Sequence, residues 1–424
     1  MSATAAFLIV TAVTLFLGVP IGAALMLALM ALIAIEPCTT TTFIAQSMYS
    51  GMASIAMICI PFFCLCGSIM DVGGLSKRLV NFANSFVGNV TGGLGMVTIL
   101  SCMLFGAVSG SAVATTAAIG TIMIPQMVRN GYDKYYATAL VVTAGGLGVV
   151  VPPSYPLVLY GITNNVSIGD LFLAGVLPAI VVGGILMGFN YYYSRKNGWK
   201  GSGEKVSLKN ILLTFKDSVL ALLMPVIILG GIYSGVFTAT EASVIACVYG
   251  IIVGKFIYKA LTWRAVWDML KENVAFVGGT MLVFAPATAL GRVFAYMQYT
   301  TAIQHWFTSV SSNINVIMLM ILFVLLIAGM FVQTSPIIII LTPMMYSLVT
   351  SMGVHPVHFG IIVLIALCIA FVTPPVASNL YVGVGLTGLP LAKIVKRLWP
   401  YIIALIIALL IITYTPGISL FLIS

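Results

Sequence analysis

Charge is the scarcest feature of this sequence. Only 6% of its 424 residues are Asp, Glu, Lys or Arg, against roughly a quarter in a soluble domain. A water-soluble globule and a charged, disordered chain are both excluded. Acids are scarcer than bases: Glu36, Asp71, Asp133, Asp170, Glu204, Asp217, Glu241, Asp268 and Glu272 are the whole set, and each falls in or beside a polar stretch. No carboxylate is centred in an apolar run, and His305, His355 and His358 lie in outer polar stretches. That disfavours a proton relay inside a membrane. It also leaves an enzyme without a nucleophile and base, or a set of metal ligands, facing each other. The seven cysteines mostly sit in apolar runs without zinc-like spacing, and Cys64-Leu65-Cys66 reads as packing. A cleavable signal is not expected, because the first apolar run lacks a basic start and continues to about Ile35. The +9 net charge is spread as membrane topology requires, so nucleic acid is not an expected partner.

What the sequence has is apolar length. Hydrophobic residues make up 61%, and one span needs about 20 of them, so the lipid bilayer is the expected solvent. Apolar runs fall at about 3–35, 43–70, 92–128, 135–163, 168–193, 218–236, 242–260, 274–298, 314–350, 357–386 and 398–414. The expectation is an all-α polytopic membrane protein. Runs 92–128 and 314–350 are too long for one crossing and too short for two. Each carries small or polar residues midway, Val108-Ser109-Gly110-Ser111 and Gly329 through Ser335. Both read as re-entrant hairpins, because irregular backbone at membrane depth needs a protein or water-filled cover. Lys and Arg accumulate on the cytoplasmic side of short loops. With the N-terminus cytoplasmic and the hairpins so drawn, every basic residue except Arg292 falls on one side, and the C-terminus falls outside.

The chain also repeats itself. The segment Val151-Pro152-Pro153-Ser154-Tyr155-Pro156-Leu157-Val158-Leu159-Tyr160-Gly161 resembles Thr373-Pro374-Pro375-Val376-Ala377-Ser378-Asn379-Leu380-Tyr381-Val382-Gly383. Pro153 stands 25 positions before Pro178, and Pro375 stands 25 before Pro400. The first hairpin opens to the cytoplasm and the second to the outside. The reading is two inverted-topology repeats, 1–193 and 241–424, each with a re-entrant hairpin and a broken helix. A cytoplasmic linker and connecting helix at 194–240 join them. Inverted repeats with broken helices mark secondary transporters that bind at the membrane midplane.

Without buried carboxylates, ion ligands must be neutral oxygens: Ser109, Ser111, Thr115, Thr116, Thr334, Ser335, Thr373 and carbonyls freed by Gly and Pro. These suit a hard monovalent cation such as sodium. One expected sodium site joins the tip Ser109, Gly110 and Ser111 to Gly145, Val149 and Pro152; the other joins Gly329 and Thr334 to Thr373 and Val376. The expected substrate contacts are Ser111, Thr115, Arg292, Gln333 and Asn379. Arg292 alone carries charge in an apolar run and either pairs with a substrate carboxylate or snorkels to the outer interface.

At these motifs the sequence resembles the large membrane subunit of tripartite ATP-independent periplasmic (TRAP) transporters. The resemblance rests on Met70-Asp71-Val72-Gly73-Gly74-Leu75-Ser76-Lys77-Arg78-Leu79, Ser109-Gly110-Ser111-Ala112-Val113-Ala114-Thr115, Gly145 to Ser154, and Ser167-Ile168-Gly169-Asp170-Leu171-Phe172. It continues through Gly230 to Thr238 with Thr240-Glu241-Ala242, and Thr373-Pro374-Pro375. The family tip often reads Gly-Ser-Ser, where this chain has Ala112. An acid often follows Gly-Met-Phe, where this chain has Gln333. The resemblance implies an elevator-type ion-transporter fold and a sodium-driven importer of an organic acid, such as sialic acid or a C4-dicarboxylate, in a bacterial inner membrane. It implies Na⁺ as coupling ion, no organic cofactor, and two partners: a small four-helix membrane subunit on a separate chain, and a periplasmic substrate-binding protein. The rival expectation is a stand-alone sodium-coupled elevator carrier for carboxylates, without a binding protein.

Overall fold

The computed structural model describes residues 3–35, 40–201 and 207–423, and their regular structure is all helical, with no strand among them. Glu36, Cys38, Glu204 and Lys205 lie outside the described residues. The first apolar run is not one continuous helix. Gly18 at φ +76° and Pro20, which has no N–H, divide it into α1 (Ala3–Phe16) and α2 (Ile21–Ile35), which pack side by side. Over the described residues the two cover 14 and 15 positions. The division was invisible in a run of uniform hydrophobicity.

Next come α3 (Thr41–Met52), capped by the Thr40 side chain, and α4 (Cys59–Val72). Helix α5 (Leu75–Val87) is amphipathic: Leu75, Leu79, Val80 and Ala83 are buried while Lys77 is exposed. That is the pattern of a helix lying in the membrane interface. Helices α6 (Gly93–Ser109) and α7 (Ala112–Arg129) pack together as a helical hairpin. Gly110 turns its tip at φ +59°, and Ser111 caps α7 by accepting from Ala114 N at 3.4 Å.

The following span is interrupted. Helix α8 (Lys134–Gly145) continues as the short α9 (Leu147–Val150), breaks over Val151–Ser154, and resumes as α10 (Tyr155–Asn164) with a bend of 42°. A long helix, α11 (Ile168–Asn197), closes this half, with Pro178 inside it. Helix α12 (Leu208–Tyr233) connects to α13 (Ala239–Ile252). Thr238 and Glu241 form a capping box that starts α13. Arg78 reaches from α5 to Asp217 on α12 at 3.3 Å.

The second half runs in the same order. Helix α14 (Trp263–Tyr296) is 34 residues long. It begins eleven residues before the apolar run expected at 274, because the more polar 263–273 is helical too. After α15 (Tyr299–Val310) comes the second hairpin: α16 (Ile314–Phe331), then α17 (Thr334–Pro336) leading through a π-turn into α18 (Thr342–Ser351). Another interrupted span follows: α19 (Pro356–Ala370), a break, and α20 (Ser378–Thr387). Helix α21 (Leu391–Tyr414), with Pro400 inside, and α22 (Pro416–Leu420) complete the chain. Hairpin, interrupted helix and proline-bearing long helix thus recur in one order. Among the described residues, eight helical stretches are long and apolar enough to cross a membrane, and the bent α8–α10 pair makes nine.

The two interrupted helices lie together at the centre. Every residue of α19 except Pro356 is buried, as is nearly all of α8. A Cβ on Gly146 would meet Cys368 Sγ at 2.7 Å, so α9 and α19 approach with no room between them. His358, expected in an outer polar stretch, is instead buried in the first turn of α19, against the Thr413 carbonyl at 3.2 Å.

Candidate functional site

The first break follows from its sequence. Pro152 and Pro153 lack N–H groups, so carbonyls one turn back lose their helical partners. The Pro152–Pro153 bond is cis, as is Pro374–Pro375. Glycines then let the first hairpin tip approach. A Cβ on Gly110 would stand 2.9 Å from Pro153 O and 3.1 Å from Ser154 Cα. One on Gly148 would stand 2.6 Å from Ser111 O, and one on Gly106 2.7 Å from Gly148 Cα. A Cβ on Gly145 would overlap Thr116 Oγ1. The structure therefore brings Ser109, Gly110, Ser111 and Thr115 against Gly145, Gly148 and the Pro152–Ser154 turn. Val149 and Pro152 are buried in the same segment.

Hydroxyl directions at this tip can be assigned. Thr115 donates to Ser111 O at 2.7 Å, which uses its only proton. Ser109 Oγ, 3.0 Å from Thr115 Oγ1, must therefore be the donor of that pair. Its lone pairs face the tip, where Ser111 N lies at 3.5 Å. Ser154 sits at the N-cap of α10 but caps nothing; its hydroxyl is buried, 1% exposed, and has no hydrogen-bond partner. The cluster holds no charged side chain. Its chemistry is that of neutral oxygens, which fit a monovalent cation and the O–H donors of an anion site.

The second cluster is looser. Val376 N donates to Met330 O at 3.0 Å, fixing the second break to the first arm of its hairpin, and Gly329 packs on Ala370. Thr373 Oγ1 donates to Ile369 O at 2.8 Å, leaving its lone pairs free. Thr334 opens α17 and is half-buried, while Gln333 and Pro375 are exposed. Asn379 is fully buried and donates to Val142 O at 3.2 Å; its Oδ1 has no partner. Asn379 thus fastens the second interrupted helix to the first.

Arg292 stands apart. It is exposed, and its guanidinium donates to Ser47 Oγ on α3 at 3.3 Å. Leu290 and Phe294 share the opposite face of α14 and line an apolar cavity of about 850 Å³ behind the second hairpin. The Arg292–Ser47 hydrogen bond leads to α3 and to neither hairpin tip.

Sequence reasoning passed over Tyr155 and Ser154 as individual site residues. The Tyr155 hydroxyl is hydrogen-bonded to Ser335 Oγ, at the start of the second hairpin's returning arm. The tip of the first hairpin therefore sits on Pro153 and Ser154, and the tip of the second on the next residue. Further out, Asn164 on α10 donates to Thr342 Oγ1 at 2.8 Å. The signal for Ser154 was present in its place directly after Pro-Pro, an N-cap position. The tie to Ser335 spans 180 positions and leaves no local mark. At one end of the molecule, Asn165–Gly169 and Phe237–Thr240, both within or beside stretches assigned outside, line one cavity of about 450 Å³.

This all-helical fold, with its paired hairpins and interrupted helices, is similar to a solved structure. The chain aligns with the crystal structure of the Alcanivorax borkumensis YdaH transporter at a TM-score of 0.64 and 15% identity, over 89% of this chain and 88% of that one. At that identity the likeness concerns fold alone. Residues 8–418 match the family model for the tripartite ATP-independent periplasmic transporter, DctM component, and the chain belongs to that family. It is 40% identical over 97% of its length to the isethionate TRAP transporter permease protein DctMQ of Oleidesulfovibrio alaskensis, and spans 65% of that relative. It is 38% identical to the C4-dicarboxylate TRAP transporter large permease protein DctM of Pseudomonas aeruginosa, over 89% of this chain and 88% of that one. It is 34% identical to the sialic acid TRAP transporter large permease protein SiaM of Vibrio cholerae, over 96% and 95%.

Proposed function

We propose that this TRAP large permease imports an organic acid across a bacterial inner membrane, driven by sodium, through an elevator movement of its hairpins and interrupted helices. The observation that carries this reading is the arrival of both hairpin tips on consecutive residues of one helix break. A site closed by two tips suits a carrier exposed to one side at a time. The recurrence of hairpin, interrupted helix and proline-bearing helix supports two inverted repeats, with re-entrant hairpins opening on opposite sides. Neutral oxygens at Ser109, Ser111 and Thr373, with carbonyls released by Gly and Pro, would hold the sodium ions. Gly145, Val149 and Pro152 supply the first group of carbonyls; Gly329 and Val376 supply the second, with the Thr334 hydroxyl beside them.

The substrate is an organic anion, as the acids in the relatives' names suggest: isethionate, a C4-dicarboxylate or sialic acid. The relative of greater length carries DctMQ in its name, which supports a small membrane subunit as partner of this chain. A periplasmic binding protein would deliver the acid at the outer face.

Proteoliposomes holding the large and small subunits, with the binding protein outside, test this reading with isethionate, succinate and N-acetylneuraminate. The expected result is sodium-dependent uptake of at least one acid, lost when either partner is left out. Uptake by the large subunit alone would favour a stand-alone carrier. Uptake of none would remove the assignment of organic-acid transport.

A further inference from the structure

We propose that Tyr155 and Ser335 form an anion-binding pair that bonds to itself when the transporter is empty and opens to take an acidic group of the substrate. The inference rests on the transport reading above and names the donors of its substrate site.

Tyr155 begins α10 directly after the first break, and Ser335 stands in the tip of the second hairpin. Their hydroxyls are hydrogen-bonded across 180 positions of sequence. A hydroxyl pair spends one proton on its internal bond and leaves the other free to point elsewhere. Separated by an anionic oxygen, both O–H groups can donate to it. Each such bond is charge-assisted, about twice as strong as the neutral one it replaces. Opening the pair on an anion is therefore a net gain, whereas opening it on nothing strands two polar groups.

The surroundings fit this use. The Tyr155 ring lies edge-on to Phe276 on α14, with centroids 6.0 Å apart. The adjacent Ser154 hydroxyl is 1% exposed and has no partner. It is an unused donor beside the pair, at the N-terminus of the ten-residue α10. Amides at a helix N-terminus favour negative charge. Arg292 lies on another face of α14, bonded to Ser47, so the anion would be met by hydroxyls and the helix end. The ligand class is a carboxylate, or the sulfonate that replaces it in a short organic acid.

The pair is separable from a purely structural latch. Binding of radiolabelled isethionate, succinate and N-acetylneuraminate is measured on the purified large–small subunit complex in saturating sodium. The proteins are wild type, Tyr155→Phe, Ser335→Ala and the double variant. Tyr155→Phe keeps the ring and its contact with Phe276, and Ser335→Thr serves as the variant that retains a hydroxyl. If each hydroxyl donates to the anion, each single variant weakens binding about tenfold and the two losses multiply in the double variant. Ser335→Thr restores binding. If the bond is only a latch, both singles and the double share one value, because the same bond is lost in each; that result overturns the pair. Unchanged affinities overturn it too, as does a wild-type complex that transports an acid yet binds none without the binding protein. A wild-type complex that neither transports nor binds any of the acids overturns the transport reading, and this assignment with it.

Discussion

Adding one methyl at Gly110 tests the seating of the first hairpin tip. The geometry sets two costs. Gly110 holds φ +59°, a left-handed conformation that costs an L-residue about 1–2 kcal/mol. The added Cβ would also stand 2.9 Å from Pro153 O and 3.1 Å from Ser154 Cα, both backbone atoms that cannot swing aside. Overpacking of this kind costs about 1–3 kcal/mol. Gly131, in the turn between α7 and α8, separates the two terms. It has φ +85° and nothing within 4 Å of its position for a Cβ. Gly131→Ala should carry the backbone cost alone. Gly110→Ala adds the collision, which shifts the balance between a seated and a lifted tip by a factor of about 5–150. The assay is the sodium concentration for half-maximal uptake, with thermal unfolding of the purified complex beside it. Both variants should lose some thermal stability. Only Gly110→Ala should raise the sodium requirement, by about tenfold or more. If the two variants show the same sodium dependence, the tip is not seated on the break as described.

The same geometry sets three further outcomes. Ser111→Ala and Thr373→Ala should each raise the sodium concentration for half-maximal uptake by about tenfold, the effect of losing one oxygen partner; wild-type dependence in both would assign the hydroxyls to packing. Arg292→Gln should leave substrate affinity within about twofold, as for other exposed substitutions, and a large loss measured by labelled-acid binding would place the guanidinium in the substrate path. In a cysteine-free background, Ser312→Cys should react with an impermeant maleimide added outside whole cells, and Asn197→Cys only after the membrane is opened; the opposite pattern would invert the topology.

The sequence made some of this legible and hid the rest for physical reasons. The first hairpin could be read because Ser109-Gly110-Ser111 interrupts a long apolar run, and a glycine there does turn the chain. The interrupted spans were legible because consecutive prolines remove hydrogen bonds wherever they occur. The split of the first run was not, since Gly18 and Pro20 are single residues in a stretch with no change of composition. The reach of α14 into 263–273 was missed because hydropathy reports the membrane and not the helix. Arg292 shows a different limit. Its charge was visible, but the face it takes relative to Leu290 and Phe294, and its partner Ser47, follow from packing against α3. Ser335 was visible as an oxygen, yet its bond to Tyr155 depends on how two halves of the chain meet.

The central claim is that neutral oxygens at the hairpin tips couple transport to sodium, with no carboxylate to carry a proton. Its most direct test is acid uptake by the reconstituted three-part system under imposed gradients of one ion at a time. An inward sodium gradient at equal pH should drive accumulation, and a pH gradient without sodium should drive none. Full accumulation on the pH gradient alone would contradict the account.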